Sequence, residues 1–375
     1  MNARYLVLAV LVAVGSAAPL SAQYPVAPSP STIGQPSIYS APVVTPAAFA
    51  GQLVKGGSCD GSCGGSCGNS GCCVTGGWCH RGSVHGEFLL LRARDSEIAY
   101  AVPFNGPIIG GNTNTVQVGP VGVLDMDLQT GFRFGYDHIL SNCAQFGVEY
   151  TMLESTTSDS VLTQFPFVIR SHVSHPNTDT AGQSFLQANA SYDLNYDLLD
   201  FNYRQLVNYC DEYQFGYVLG TRLVQHEQRM DTEFLANGSE TVLTDIDFYG
   251  AGLRAGLEYE RYVGCQWTWY AKGYGNLIAG EFRADYDQRQ SFGQNWVVDT
   301  SWKAGRIVTI WELELGMGWT SKSGWCSASA GYMYSAWTNM VQTDEWIEGV
   351  HQNNFIDMDS TSTFDGLVGR FEVRF

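Results

Sequence analysis

Leu367-Val-Gly-Arg-Phe-Glu-Val-Arg-Phe375 closes the chain, and its alternation decides the fold. Leu367, Gly369, Phe371, Val373 and Phe375 share one face, whereas Val368, Arg370, Glu372 and Arg374 share the other, which is the two-residue period of a strand. Such a strand needs lipid or a packed core on one side and water on the other. A soluble sheet and a membrane barrel both meet that need.

The preceding chain repeats the pattern. Trp311-Glu-Leu-Glu-Leu-Gly-Met-Gly-Trp319 sets Trp, Leu and Met against Glu312 and Glu314, and Phe146 to Met152 sets aromatic and aliphatic groups against Glu149. Tyr249, Leu253, Leu257 and Tyr259 oppose Arg254, Glu258 and Glu260. Tyr192, Leu194, Tyr196 and Leu198 oppose Asp193, Asn195 and Asp197; the phase then slips before Phe201, which predicts a β-bulge at Leu199 or Asp200.

Ten such segments are expected, near 84–95, 124–137, 144–156, 191–207, 212–226, 245–261, 266–281, 304–320, 327–338 and 362–375, with twelve strands as the alternative. Short turns around Asn142, Cys210, Gly264 and Ser323 alternate with long connections across 96–123, 157–190, 227–244, 282–303 and 339–361. Short turns on one side and long loops on the other mark an all-β, antiparallel, up-and-down transmembrane barrel with periplasmic turns. Cys143, Cys210, Cys265 and Cys326 recur in those turns at roughly 60-residue spacing, one hairpin apart. Tyr136, Tyr209, Tyr213, Tyr259, Tyr262, Trp267, Trp269, Trp319 and Trp325 gather beside them as an interfacial girdle would.

Composition agrees with strands: 42 Gly, 20 Tyr, 19 Phe and 10 Trp accompany only 15% charged residues. A net charge of −17 without a basic patch argues against a nucleic-acid partner. Residues 1–22 read as a secretory signal, with Arg4, an apolar run from Tyr5 to Val14 and small residues up to Ala22. Residues 23–57 are a Pro/Ala/Ser-rich linker, 58–80 a Cys/Gly-rich periplasmic segment, and 81–375 the barrel. Cys59, Cys63, Cys67, Cys72, Cys73 and Cys79 match no paired zinc spacing, and in an exported chain they read as disulfide formers, within the segment or to a second copy or another envelope protein. The four turn cysteines are expected to be unpaired or joined to that segment.

Alternation assigns to the lumen Arg133, Asp137, Glu149, Asp193, Asp197, Arg204, Arg222, Arg254, Glu258, Glu260, Lys272, Glu312, Glu314, Arg370, Glu372 and Arg374. Both signs are present, so they either pair and plug the barrel or line a path for small polar solutes or ions. Ten strands lie near the filled end of the size range. Gly147, Gly216, Gly220, Gly252, Gly256, Gly316, Gly318 and Gly331 free interior volume for a narrow pore. His226, Glu227, Asp231, Asp245 and Asp247 form the one rim constellation that a hydrolase could use, but no motif supports it, and His172 and His175 read as solvated loop residues. No enzyme, cofactor or metal is expected. A third class is a structural barrel crosslinked through its Cys-rich segment.

The signal peptide, the aromatic strands and Gly369-Arg-Phe371-Glu-Val373-Arg-Phe375 resemble bacterial outer-membrane β-barrels. More narrowly, residues from about Gly86 to Phe375 are similar to the Legionella-type major outer-membrane protein family, on Gly131-Phe-Arg-Phe-Gly135, the Trp311 to Trp319 strand and the loop rhythm. The resemblance implies an outer-membrane location, a pore-forming role, contact with outer-membrane lipid, and reading of Phe371, Val373 and Phe375 by the barrel-assembly machinery.

Overall fold

The computed structural model of the chain describes residues 80–107, 115–178, 183–209, 212–264, 266–291, 296–356 and 358–375. The leader, linker and Cys-rich segment, with Cys59, Cys63, Cys67, Cys72, Cys73 and Cys79, lie outside them, as do Cys210 and Cys265.

The described chain runs β1 (Gly82–Arg94), β2 (Ile98–Phe104), β3 (Gly122–Leu124), β4 (Gln129–Ser141), β5 (Ala144–Leu162), β6 (Val168–Ser171), β7 (Gln187–Tyr209), β8 (Tyr213–Leu235), β9 (Ser239–Val263), β10 (Trp267–Gln290), β11 (Trp296–Thr320), β12 (Cys326–Met340), α1 (Thr343–Gln352) and β13 (Ser360–Arg374). Ten strands close into an antiparallel barrel in the order β1-β13-β12-β11-β10-β9-β8-β7-β5-β4. The first and last described strands make the seam: β13 pairs with β1, and the Phe375 N–H donates to the Gly82 carbonyl at 3.0 Å while its own carbonyl accepts from Arg81 and Gly82. Strands β2, β3 and β6 form a separate small sheet, carried by the connections after β1 and β5.

The longest strands settle how the barrel meets the membrane. β9 and β11 each have 25 residues. At about 3.4 Å per residue and a tilt near 40°, such a strand rises about 65 Å, roughly twice a hydrocarbon core of about 30 Å. The exterior divides accordingly. Near the turns, Phe88, Phe134, Leu219, Leu253, Leu257, Leu277, Ile307, Trp311, Leu315, Leu367 and Phe371 face outward and exposed. Beyond the level of Tyr249, the outward positions turn polar, with Asp193, Glu227, Asp245, Asp247, Asp285 and Lys303.

The interior divides in the opposite sense. Behind the lipid band it is largely charged, but behind the polar band it is an apolar core that includes Tyr192, Leu194, Phe248, Phe282 and Tyr286. Once the wall leaves the membrane, water lies outside, so burial of apolar groups drives them inward, each worth about 1.5–3 kcal/mol.

This inversion corrects three expectations. No bulge lies at Leu199 or Asp200, because β5 pairs with β7 from Ala144–Gln205 to Leu162–Gln187 without a shift in register. Even-numbered residues of β7 from Ala188 to Leu206 face inward; the apparent slip in phase is the strand passing from water to lipid. Asp193 and Asp197 are therefore on the outer surface, whereas Tyr192, Leu194, Tyr196 and Leu198 are inside. The connections expected at 227–244 and 282–303 are mostly strand, β8 and β9 turning over Ala236 to Gly238. The connection at 339–361 carries α1, whose buried Trp346, Ile347 and Val350 recur at helical spacing. Asn353, at φ 53°, closes it with a left-handed cap, its N–H bonding to the Val350 carbonyl.

Candidate functional site: the lumen

At the turn end the lumen opens into a vestibule of about 1010 Å³, lined by Asp137, Arg204, Glu258, Glu260, Lys272, Arg370, Glu372 and Arg374 among others. Arg374 donates to Glu372 at 2.8 Å, and Arg370 reaches both Glu372 and Glu87. Tyr262, expected in the outer girdle, lines this vestibule instead.

Above it, ion pairs cross the interior. Arg204 bridges Asp137 at 2.7 Å and Glu258 at 3.2 Å, and the Tyr274 hydroxyl donates to Glu258 at 2.5 Å. Arg133 donates to Glu87 at 2.6 Å and to Thr151 at 2.9 Å, with Glu149 at 3.7 Å. His85 stands between two carboxylates, its Nε2 3.0 Å from Glu149 and its Nδ1 3.5 Å from Asp137. Farther in, Arg222 holds Asp200 and Glu312, and Arg254 holds Glu312 at 2.6 Å with its guanidinium 3.9 Å from the Tyr274 ring centre. Lys272 reaches Glu314 at 3.4 Å. These groups are buried, so each charge depends on its partner to offset desolvation.

The inward glycines do not leave the lumen empty. A Cβ at Gly147 would strike Asp137, at Gly256 it would strike Tyr274, and at Gly316 or Gly331 it would strike the Tyr270 hydroxyl. These four positions each seat a neighbouring side chain that reaches into the interior, whereas at Gly216, Gly220 and Gly252 a Cβ would strike the adjacent backbone and at Gly318 it would meet only ordinary contacts.

The loop end is closed by parts that the wall does not supply. α1 inserts Trp346 against Phe355 and Trp302, and its Thr343 hydroxyl donates to Gln228 of β8. The segment after β6 lies against β9 and β10, Ser174 bonding Glu240 and the Gln288 side chain accepting from the His175 backbone at 3.0 Å. His175 and His351 meet edge to face at 6.0 Å.

Of the sixteen residues assigned to the lumen, all but Asp193 and Asp197 face inward. Sequence reasoning missed three more. His85 and Glu87 alternate with Phe88-side positions of β1 and were legible by period, whereas Asp200 was lost to the supposed bulge. The rim constellation does not assemble: His226 is fully buried beside Trp337, while Glu227, Asp231, Asp245 and Asp247 occupy outward positions. Among the turn cysteines that are described, Cys326 is free and buried, and Cys143 is disulfide-bonded.

The family model described as "Legionella pneumophila major outer membrane protein precursor" matches residues 77–368, most of the chain. The chain belongs to this outer-membrane protein family. No curated protein matches it. Among solved structures, the outer membrane protease OmpT from Escherichia coli aligns at 9% identity and a TM-score of 0.42, covering 79% of this chain and 97% of that one. The toluene transporter TodX from Pseudomonas putida aligns at 8% identity and 0.31, covering 79% and 90%. A FadL homologue from Pseudomonas aeruginosa aligns at 10% and 0.28, covering 78% and 89%. At these scores the likenesses say nothing of what this family member does.

Proposed function

We propose that this barrel passes small polar solutes or ions across the outer membrane and rests in a closed state. The observation that carries the reading is the division of the lumen: a charged vestibule of about 1010 Å³ opens at the turn end, while the loop end is shut by α1 and the segment after β6. Elements carried on connections can withdraw without unpairing the wall. The mid-lumen ion pairs are a second barrier, and they would set the selectivity of whatever passes.

The route to the membrane belongs to the same proposal: export by the signal at 1–22, assembly through Phe371, Val373 and Phe375, and seating in outer-membrane lipid. A catalytic role is not part of it, since the barrel wall separates His226 from its proposed carboxylates.

A second reading is favoured by the packed lumen itself: a structural barrel that never conducts, crosslinked to itself or to another envelope protein through Cys59 to Cys79. Planar-bilayer recordings of full-length protein and of a variant lacking 343–352 distinguish the two. The pore reading expects rare conductance steps from the former and frequent, longer ones from the latter. Silence from both, with each folded by gel mobility, overturns it.

A further inference from the structure

We infer that a recess around Arg261, on the outer face of the wall at the turn end, binds the headgroup of a zwitterionic glycerophospholipid, with Arg261 on its phosphate and Glu212 on its ammonium.

The first observation is the level at which Arg261 stands. Outward positions turn polar beyond Tyr249, and twelve residues of β9 lead from Tyr249 to Arg261. At about 3.4 Å per residue and a tilt near 40°, that stretch rises about 31 Å, which matches a hydrocarbon core of about 30 Å. Arg261 therefore lies where acyl chains end and phosphates begin, on the periplasmic side where the short turns are.

The second is its isolation. From Leu253 to the turn, the outward positions of β9 are Leu253, Ala255, Leu257, Tyr259, Arg261 and Val263, and the residues of β8 and β10 that pair with them carry no charge. Inside the barrel, Arg204, Arg222, Arg254 and Arg370 each hold a carboxylate. Arg261 is exposed and has no carboxylate partner among the described residues. A guanidinium at the level of the phosphates can hold one through two parallel N–H···O bonds.

The third is the recess itself, about 740 Å³, lined by Glu212, Tyr259, Arg261, Val263, Trp269 and Ala271 among others. Register sets Arg261 directly between Tyr213 of β8 and Trp269 of β10, and the Tyr213 ring stacks on Tyr259 at 6.1 Å. Glu212 lies in the turn before β8, where its carbonyl accepts the Tyr262 N–H at 2.8 Å and so ties that turn to β9 beside Arg261.

Glu212 and Arg261 thus line one recess without an ion pair joining them. A separated cation and anion complement a headgroup that carries both a phosphate and an ammonium, and the faces of Trp269 and Tyr259 attract the ammonium as well. A headgroup with only an anion would leave Glu212 unanswered. The acyl chains have a path over Ala271 and Gly273, between Leu257 and Leu313, because a Cβ at Gly273 would meet nothing nearer than 3.9 Å. An arginine that only reaches for water at a membrane surface needs neither the recess nor the acid.

The inference rests on the seating in lipid proposed above and not on conduction. Recovery of full-length protein with the detergent-extracted outer-membrane fraction tests that seating by itself. The same protein, stripped of lipid in detergent and mixed with phosphatidylethanolamine or phosphatidylglycerol of matched chains, is then read by native mass spectrometry. One phosphatidylethanolamine should be retained, severalfold more than phosphatidylglycerol. Arg261→Gln should lower that retention by about tenfold or more, the loss of a charged hydrogen-bonding partner. Glu212→Gln should abolish the preference between the two lipids, and both variants should keep the heat-modifiable gel mobility of a folded barrel. Equal retention of the two lipids by the parent, or retention unchanged in Arg261→Gln, overturns the site. Displacement of the lipid by an equal concentration of inorganic phosphate would make it a site for free anions and overturns the lipid assignment. Independently of any variant, the structure of the unaltered protein in phosphatidylethanolamine nanodiscs should show a phosphate against Arg261, and an empty recess there overturns the proposal as well.

Discussion

Arg222 and Asp200 meet across β7 and β8 as a two-pronged pair, Nε and Nη2 each 2.6 Å from one carboxylate oxygen, with both side chains almost wholly out of solvent. The third guanidinium nitrogen holds Glu312 of β11, 2.7 Å away, so one side chain ties neighbouring strands to the far wall. A buried pair of this kind contributes little beyond what an apolar filling would, but removing one member strands the other. Asp200→Ala should therefore destabilise the barrel by about 3–5 kcal/mol. Replacing Asp200, Arg222, Arg254 and Glu312 together by apolar residues of similar volume should cost far less. Urea unfolding in detergent, followed by tryptophan fluorescence, measures both; equal losses would mean that the pairs stabilise the wall in their own right.

Tyr270 reaches into the lumen over Gly316 and Gly331, whose missing side chains leave the space for its ring. Gly331→Val should force the ring aside and cost about 1–3 kcal/mol by overpacking. Tyr270→Ala in the same background should recover part of that loss. A double-mutant cycle on thermal unfolding checks the coupling, and additive effects would show that the ring does not depend on the glycine.

What the sequence made legible was the strand period, the ten strands, and the side of each strand that faces inward near the turns. Leu367, Phe371 and Phe375 face outward and Arg370 and Glu372 inward as their alternation requires, because lipid and water lie on fixed sides there. The loop half was misread for a physical reason. Alternation tells which residues share a face, but not whether lipid or water lies outside, and above Tyr249 the answer changes. Asp193 and Tyr192 therefore exchanged places with respect to the wall. The helix α1 was hidden in a connection, although Trp346, Ile347 and Val350 behind the acidic Asp344 and Glu345 carry a helical signature.

Asp247 sits on the outer surface just beyond the lipid band, half-buried. Burial first, then the charges of Asp245, Glu227 and Asp285, raise its carboxyl to about 6, with Arg283 opposing. A raised acid favours the neutral form in the folded state, so its contribution is complete below the ordinary carboxylate range near 4 and is lost as pH rises through about 6. Solvent screening reduces the expected loss to about 1 kcal/mol. Asp247→Asn should flatten the pH dependence of thermal unfolding between about pH 4 and pH 7 and raise stability at neutral pH by a similar amount. A variant whose curve parallels the parent's would place the titration elsewhere.

Phe375 is both the end of the chain and the clasp of the barrel. Its backbone makes three hydrogen bonds to Arg81 and Gly82 across the seam, while its ring is 61% exposed on the outer face. These roles separate by substitution. Phe375→Ala keeps every backbone bond and removes only the ring, so refolding into detergent should remain nearly complete while insertion by cells falls severalfold. Deleting Phe375 removes the bonds as well, and should in addition lower stability in detergent by about 1–3 kcal/mol, each net hydrogen bond contributing about 0.5–1.5. Unboiled gel mobility of refolded and of membrane-extracted protein reads the two effects side by side. If Phe375→Ala inserts as well in cells as the parent does, the ring is not what the assembly machinery reads.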